Sequence, residues 1–113
     1  MQEVDLYINR FNKEIQQRLQ TIRSIALNAF KNVNEKLYYG LPAIAKNGKI
    51  FIFYGAYKNH ISICVGIDWV DFFKQQYPQF DYTQYTIIFK HGEPFPNGVV
   101  QTICELLSRG PMG

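Results

Sequence analysis

The N-terminal part of the chain repeats apolar residues every three or four positions: Tyr7, Phe11, Ile15, Leu19, Ile22, Ala26 and Ala29. That spacing places them on one face of a helix. Asn12 is suited to cap its longer part, because the side chain can accept from a free amide in the first turn, and Glu14 suits the positive helix end. Lys13, Gln16, Gln17, Gln20 and Arg23 fall on the opposite face and are expected to be solvated. Asn32 and Asn34 close the helical region.

From Leu37 to Val65 the period changes to two, which reads as three short strands joined by two tight turns. Asn47-Gly48 is the strongest hairpin signal, since a type I′ turn needs positive φ at both central residues. With Lys46 and Lys49 flanking it, Ala45 is expected opposite Ile50, Ala43 opposite Ile52, Leu41 opposite Tyr54 and Tyr39 opposite Ala56. The other face then pairs Ile44 with Phe51, Pro42 with Phe53, Gly40 with Gly55 and Tyr38 with Tyr57. Lys58-Asn59 makes the next turn. Beyond it His60, Ser62 and Cys64 alternate with Ile61, Ile63 and Val65, so His60 is expected beside Tyr57 and Ser62 beside Gly55. The core takes Tyr39, Leu41, Ile52, Tyr54, Ile61, Ile63 and Val65, and the opposite face surrounds a Gly40/Gly55 hollow.

Asp68 reads as the N-cap of a short amphipathic helix with Trp69, Val70, Phe72 and Phe73 on its apolar side, and Pro78 breaks it. A fourth strand runs through Tyr85 to Phe89, and the Gly- and Pro-bearing loop from His91 to Pro96 prevents its extension. The last helix points Val99, Val100, Ile103, Leu106 and Leu107 inward and is stopped by Gly110 and Pro111. The pattern predicts one α+β domain over 1–113, with an antiparallel sheet of four or slightly more strands and helices packed on one face.

Composition adds to this picture in three places. The 113 residues suffice for one core, and 47% hydrophobic with 19% charged residues is a globular balance. The formal charge of +3 is too small for a dedicated phosphate-backbone binder. Nucleic acid is therefore not an expected partner. Its distribution matters more: Lys46, Lys49 and Lys58 lie between Leu37 and Ile67 with no Asp or Glu among them, so carboxylate ligands for a hard metal must come from outside the strands. Cys64 and Cys104 lack CxxC spacing and read as buried thiols of a reducing compartment. With no signal-peptide pattern and no apolar run long enough for a bilayer, a cytoplasmic location away from the membrane is expected.

Tyr7-Ile8 with Phe11, Tyr39 to Ala43, Ala56 to Ile61, Thr86-Ile87 with Phe89, and Pro94 with Pro96 occur in an order that resembles the YdhG-like bacterial domain of unknown function. That family is often described as frataxin-like iron chaperones. The resemblance covers nearly the whole chain and implies an α+β domain handling iron or haem iron. Asn12 stands where the family usually has proline. Gln84-Tyr85 and Lys90-His91-Gly92 also depart from its usual pattern, and the sequence pI near 8.9 differs from the acidic surface of frataxin-type iron binders.

Candidate chemistry follows from the strand parity. Same-face strand residues are about 6.6 Å apart, which puts His60 and Cys64 roughly 13 Å apart and unable to share one ion. The nearest oxygen pair for iron is Asp68 and Asp71, one helical turn apart. Tyr57, Lys58 and His60, with Tyr38, Gly40, Gly55 and Ser62 around them, offer donors over an aromatic floor for an anion or acidic small molecule. A bland reading of the same residues is a cross-strand ring pair beside a turn. Ser62 and His60 lack an orienting carboxylate in the strands, and Cys64 lacks a cationic neighbour in sequence, so catalysis is not expected. The expected role is small-ligand or iron binding, with a homodimer built on the aromatic sheet face as the alternative.

Overall fold

A computed structural model describes residues 2–109. The elements run α1 (Glu3–Ile8), α2 (Lys13–Ala29), β1 (Asn34–Tyr38), β2 (Leu41–Lys46), β3 (Lys49–Ala56), β4 (His60–Cys64), α3 (Ile67–Gln76), β5 (Asp81–Tyr82), β6 (Thr86–Lys90) and α4 (Asn97–Ser108). The six strands form one antiparallel sheet in the order β1-β2-β3-β4-β6-β5. Helices α2 and α4 pack on each other and on β3, α1 sits against β1 and β2, and α3 lies against β6. This is the α+β class expected, with a larger sheet.

The periodic helix is two helices. Asn12 accepts from the Ile15 amide at 2.9 Å and caps α2 as expected, and that cap separates α2 from α1. Leu19, Ile22 and Ala26 are fully buried. Arg23 is not a solvated residue. Its guanidinium grips Glu35 of β1 with a planar fork, Nε lying 2.9 and 3.0 Å from the two carboxylate oxygens, and donates from Nη1 to Asp5 of α1 at 2.7 Å. The two carboxylates hold Arg23 more firmly protonated than usual, Glu35 contributing most. One side chain thus ties two helices to the edge strand, a bidentate use of Arg that lysine could not reproduce.

The stretch from Leu37 to Val65 contains more turns than expected. Tyr39 (φ 50°) and Gly40 (φ 80°) both adopt left-handed conformations and form a two-residue hairpin between β1 and β2. Tyr39 is therefore exposed (89%) and outside the core. Gly40 does not face Gly55, Tyr38 does not face Tyr57, and no glycine hollow forms. Asn47-Gly48 makes its turn as expected, with Lys46 opposite Lys49 and Ala45 opposite Ile50. Beyond that pair a bulge inserts Phe51, so Ile52 faces Ile44 and Phe53 faces Ala43, one residue off the expected register. Phe51 packs on buried Phe30, ring centroids 5.3 Å apart.

Pro42 has no amide to donate, and the β2–β3 ladder begins only at Ala43. Continued in register, Leu41 would face Gly55, and Ala56 would face the turn residue Gly40. The free Ala56 amide donates instead to the Tyr7 hydroxyl at 3.0 Å. Gly55 is needed beneath this contact. A Cβ there would lie 2.7 Å from Leu41 Cδ2 and 3.1 Å from the Tyr7 oxygen.

Strand β4 behaves as its alternation requires. Ile61 and Ile63 are fully buried opposite Ala56 and Tyr54, and Val65 is buried just beyond. Each such aliphatic contributes about 2 kcal/mol on burial, so a one-residue slip, which would expose all three together, is strongly disfavoured. Asp68 does not cap α3: Gly66 (φ 92°) occupies the N-cap and Asp68 lies in the first turn. Helix α4 buries Val100, Ile103, Cys104 and Leu107, while Val99 and Leu106 are partly covered. Burial pushes the Cys104 thiol up to about 12 and raises that of Cys64 less far. Gly110 and Pro111, expected to stop α4, lie outside the described residues.

Removing the Tyr7 hydroxyl (Tyr7→Phe) leaves the Ala56 amide buried without an acceptor, and a loss of about 1–3 kcal/mol is expected in urea denaturation. Asp5 is held below its ordinary value of 3.8, chiefly by the Arg23 hydrogen bond and next by the Gln2 amide. A depressed carboxylate stabilises the fold above its unfolded value and ceases to do so as pH falls through the folded one. Acid denaturation monitored by circular dichroism should accordingly lose part of its steepness below pH 3.8 in Asp5→Asn.

Candidate functional site

The sheet face away from the helices is set by the same parity that builds the core. Its rows run Lys36, Ala43, Phe53, Cys64 and Thr86, then Gly55, Ser62, Ile88 and Asp81, then His60 and Lys90. Ser62 sits beside Gly55, as expected, and is buried. Tyr38 lies against Phe53, ring centroids 5.4 Å apart, and away from the polar end. Tyr38, Gly40 and Gly55 are therefore not brought into one site with the residues around His60.

Tyr57, Lys58 and His60 do come together. The β3–β4 connection closes with the Tyr57 amide donating to the His60 carbonyl at 2.8 Å, and the two rings stack at 5.1 Å and 24°. Strand β6 then adds residues that no local pattern ties to this turn. Lys90 is directly cross-strand from His60. His91 follows, its amide donating to the Asn59 carbonyl at 3.0 Å. Its Nε2 lies 2.8 Å from the Tyr57 carbonyl. A carbonyl can only accept, so Nε2 carries the proton. His91 Nδ1 is buried with no hydrogen-bond partner among the described residues. Two hydrogen bonds from His91 thus fasten the turn to the end of β6.

Lys58, Asn59, His60, Asp81, Ile88, Lys90 and His91 line a shallow depression of about 460 Å³. Ile88 supplies an apolar patch among polar groups. Two lysines and the His60 imidazole share this surface with a single carboxylate, Asp81, which lies 3.3 Å from Lys90 Nζ. Both members of that pair are well exposed, so the pair itself adds little stability. Such an arrangement can hold an anion by point charges and N–H donors over a partly apolar surface.

Asp68 and Asp71 are exposed on α3 and stand apart from this depression. Among the described residues no three His, Cys, Asp or Glu side chains are grouped closely enough to hold a metal ion. Lys90, His91 and Asp81 were invisible as site residues in the sequence. Their signal is long-range strand pairing, which a linear pattern does not carry; the departure of Lys90-His91-Gly92 from the resembled family was the sole local hint.

No family model matches the chain, and no curated protein matches it. Among solved structures the chain is similar to a DUF1801-family protein, YdhG, from Bacillus subtilis. The TM-score is 0.78 at 14% identity, over 90% of this chain and 85% of that one. The likeness shows a common α+β fold, in agreement with the YdhG-like expectation for architecture. No helix among the described residues is long and apolar enough to cross a membrane.

His91→Ala removes the hydrogen bond to the Tyr57 carbonyl and should cost about 1 kcal/mol, with faster hydrogen exchange concentrated at the amides of Tyr57 to His60.

Proposed function

We propose that this chain is a non-catalytic binding protein that holds a small anion in the depression between the β3–β4 turn and the end of β6. The convergence of Lys58, His60 and Lys90 on one concave surface, with His91 fastening the turn that presents them and Ile88 and the Tyr57–His60 ring stack beside it, carries this reading. A site whose charge comes from two exposed lysines works in a solvated setting, so its affinity is modest and falls with salt. Iron chaperoning is the finer role implied by the family resemblance, with Asp68 and Asp71 as its oxygen donors. Two exposed carboxylates one helical turn apart supply part of a hard-metal coordination sphere. Self-association is a second reading, favoured by the apolar surface of Tyr38, Ile50, Phe53 and Cys64 on the same sheet face.

One set of titrations separates the three. Amide shifts on adding inorganic phosphate should localise to Lys58, His60, Lys90 and His91 with a Kd near ~1 mM, corresponding to about 4 kcal/mol. Lys58→Ala/Lys90→Ala should weaken binding about ten-fold or more without changing the sedimenting mass. Dissociation of a dimer in Phe53→Lys would favour self-association instead. Anaerobic ferrous titration that responds to Asp68→Asn/Asp71→Asn and not to the lysine variant would favour iron.

A further inference from the structure

We infer that the anion of this depression is a planar aromatic carboxylate, held with its ring against the His60 imidazole and over Ile88, and with its charge toward Lys58. The inference rests on the anion reading above and adds to it the shape of the ligand's body. His60 stands on β4 with Tyr57 stacked on one face of its ring, at 5.1 Å and 24°. Tyr57 closes the β3 side of that pair and takes no part in the depression, whereas His60 lines it. The imidazole face turned toward β6 is therefore the one the depression offers. Lys90 begins directly across from His60, but its ammonium is drawn outward to Asp81 of β5, 3.3 Å away. What is left is a shallow slot whose walls stand on β4 and β5, about 9.6 Å apart at two strand spacings. Its floor is the half-buried Ile88 of β6, the strand between them. A flat ring fits such a slot edge-down, one face on the imidazole and the edge on Ile88.

Magnitudes favour a ligand with such a body. A lysine at contact distance in water strengthens a monoanion only about five-fold. Lys58 is available for this, since it makes no ion pair among the described residues, while Lys90 already has Asp81. An offset ring contact adds about two- to ten-fold, and covering Ile88 adds to that. A compact anion gains from the lysine alone. An aromatic acid gains from all three groups, and the slot is then specific where bare charge is not.

The test titrates the wild type and His60→Ala with acetate, benzoate and cyclohexanecarboxylate at neutral pH and matched ionic strength, following amide shifts. All three carry the same charge, so differences report the body of the ligand. Benzoate should bind the wild type about ten-fold more tightly than acetate, and about three-fold more tightly than the non-planar cyclohexanecarboxylate. In His60→Ala the benzoate advantage should fall to about two-fold or less, with acetate unchanged. Nuclear Overhauser contacts from the benzoate ring to the His60 imidazole and the Ile88 methyls in the wild type give a readout that does not depend on the variant's stability. Benzoate no tighter than acetate, cyclohexanecarboxylate equal to benzoate, or ring contacts elsewhere would overturn the inference while phosphate binding at the same residues leaves the anion reading intact. Absence of binding by phosphate and by all three acids would overturn both.

Discussion

The alternation of β4 is the constraint on which the molecule turns. Ile61, Ile63 and Val65 must face the helices to be buried, and the pleat then sends His60, Ser62 and Cys64 to the other side without any further choice. Because β4 lies between β3 and β6, its parity is imposed on both neighbours. Tyr54 and Ala56 are drawn inward on one flank, and Ile87 and Phe89 on the other. The basic depression exists because the same rule leaves Lys90 on the outer face beside His60.

This explains what could be read from the chain and what could not. Parity within β4 and the Asn47-Gly48 turn are local properties, so the stacking of Tyr57 on His60 and the pairing of Gly55 with Ser62 were legible. The Tyr39-Gly40 turn was not, because a tyrosine in the left-handed region is disfavoured and the apolar run around it reads as continuous strand. The Phe51 bulge escaped for a similar reason: an extra residue among alternating apolar ones leaves no mark in composition. Arg23 looked like one more polar residue on an exposed helical face. Its importance depends on Asp5 and Glu35, which reach it only after the chain has folded.

Half of the depression was hidden in the same way. Lys58 and His60 flank a recognisable turn, but Lys90, His91 and Asp81 arrive through antiparallel pairing of β6 with β4 and β5. The fastening of that turn by His91 shows how scaffold and site share groups. The imidazole lines the depression and also donates to the backbone that presents Lys58 and His60. Geometry at the surface is consequently coupled to the closing contacts of the sheet.

The outer strand β1 would ordinarily offer a row of unpaired amides to any passing β-strand. Here the Leu37 amide, which points away from β2, is met at 3.3 Å by the Glu3 carboxylate of α1, and that helix lies along the strand. A foreign strand would have to displace that carboxylate before it could pair at Leu37. The chain therefore carries its own terminator for strand addition on this side. Any pairing of copies is steered toward the broad face and away from open-ended growth along the edge.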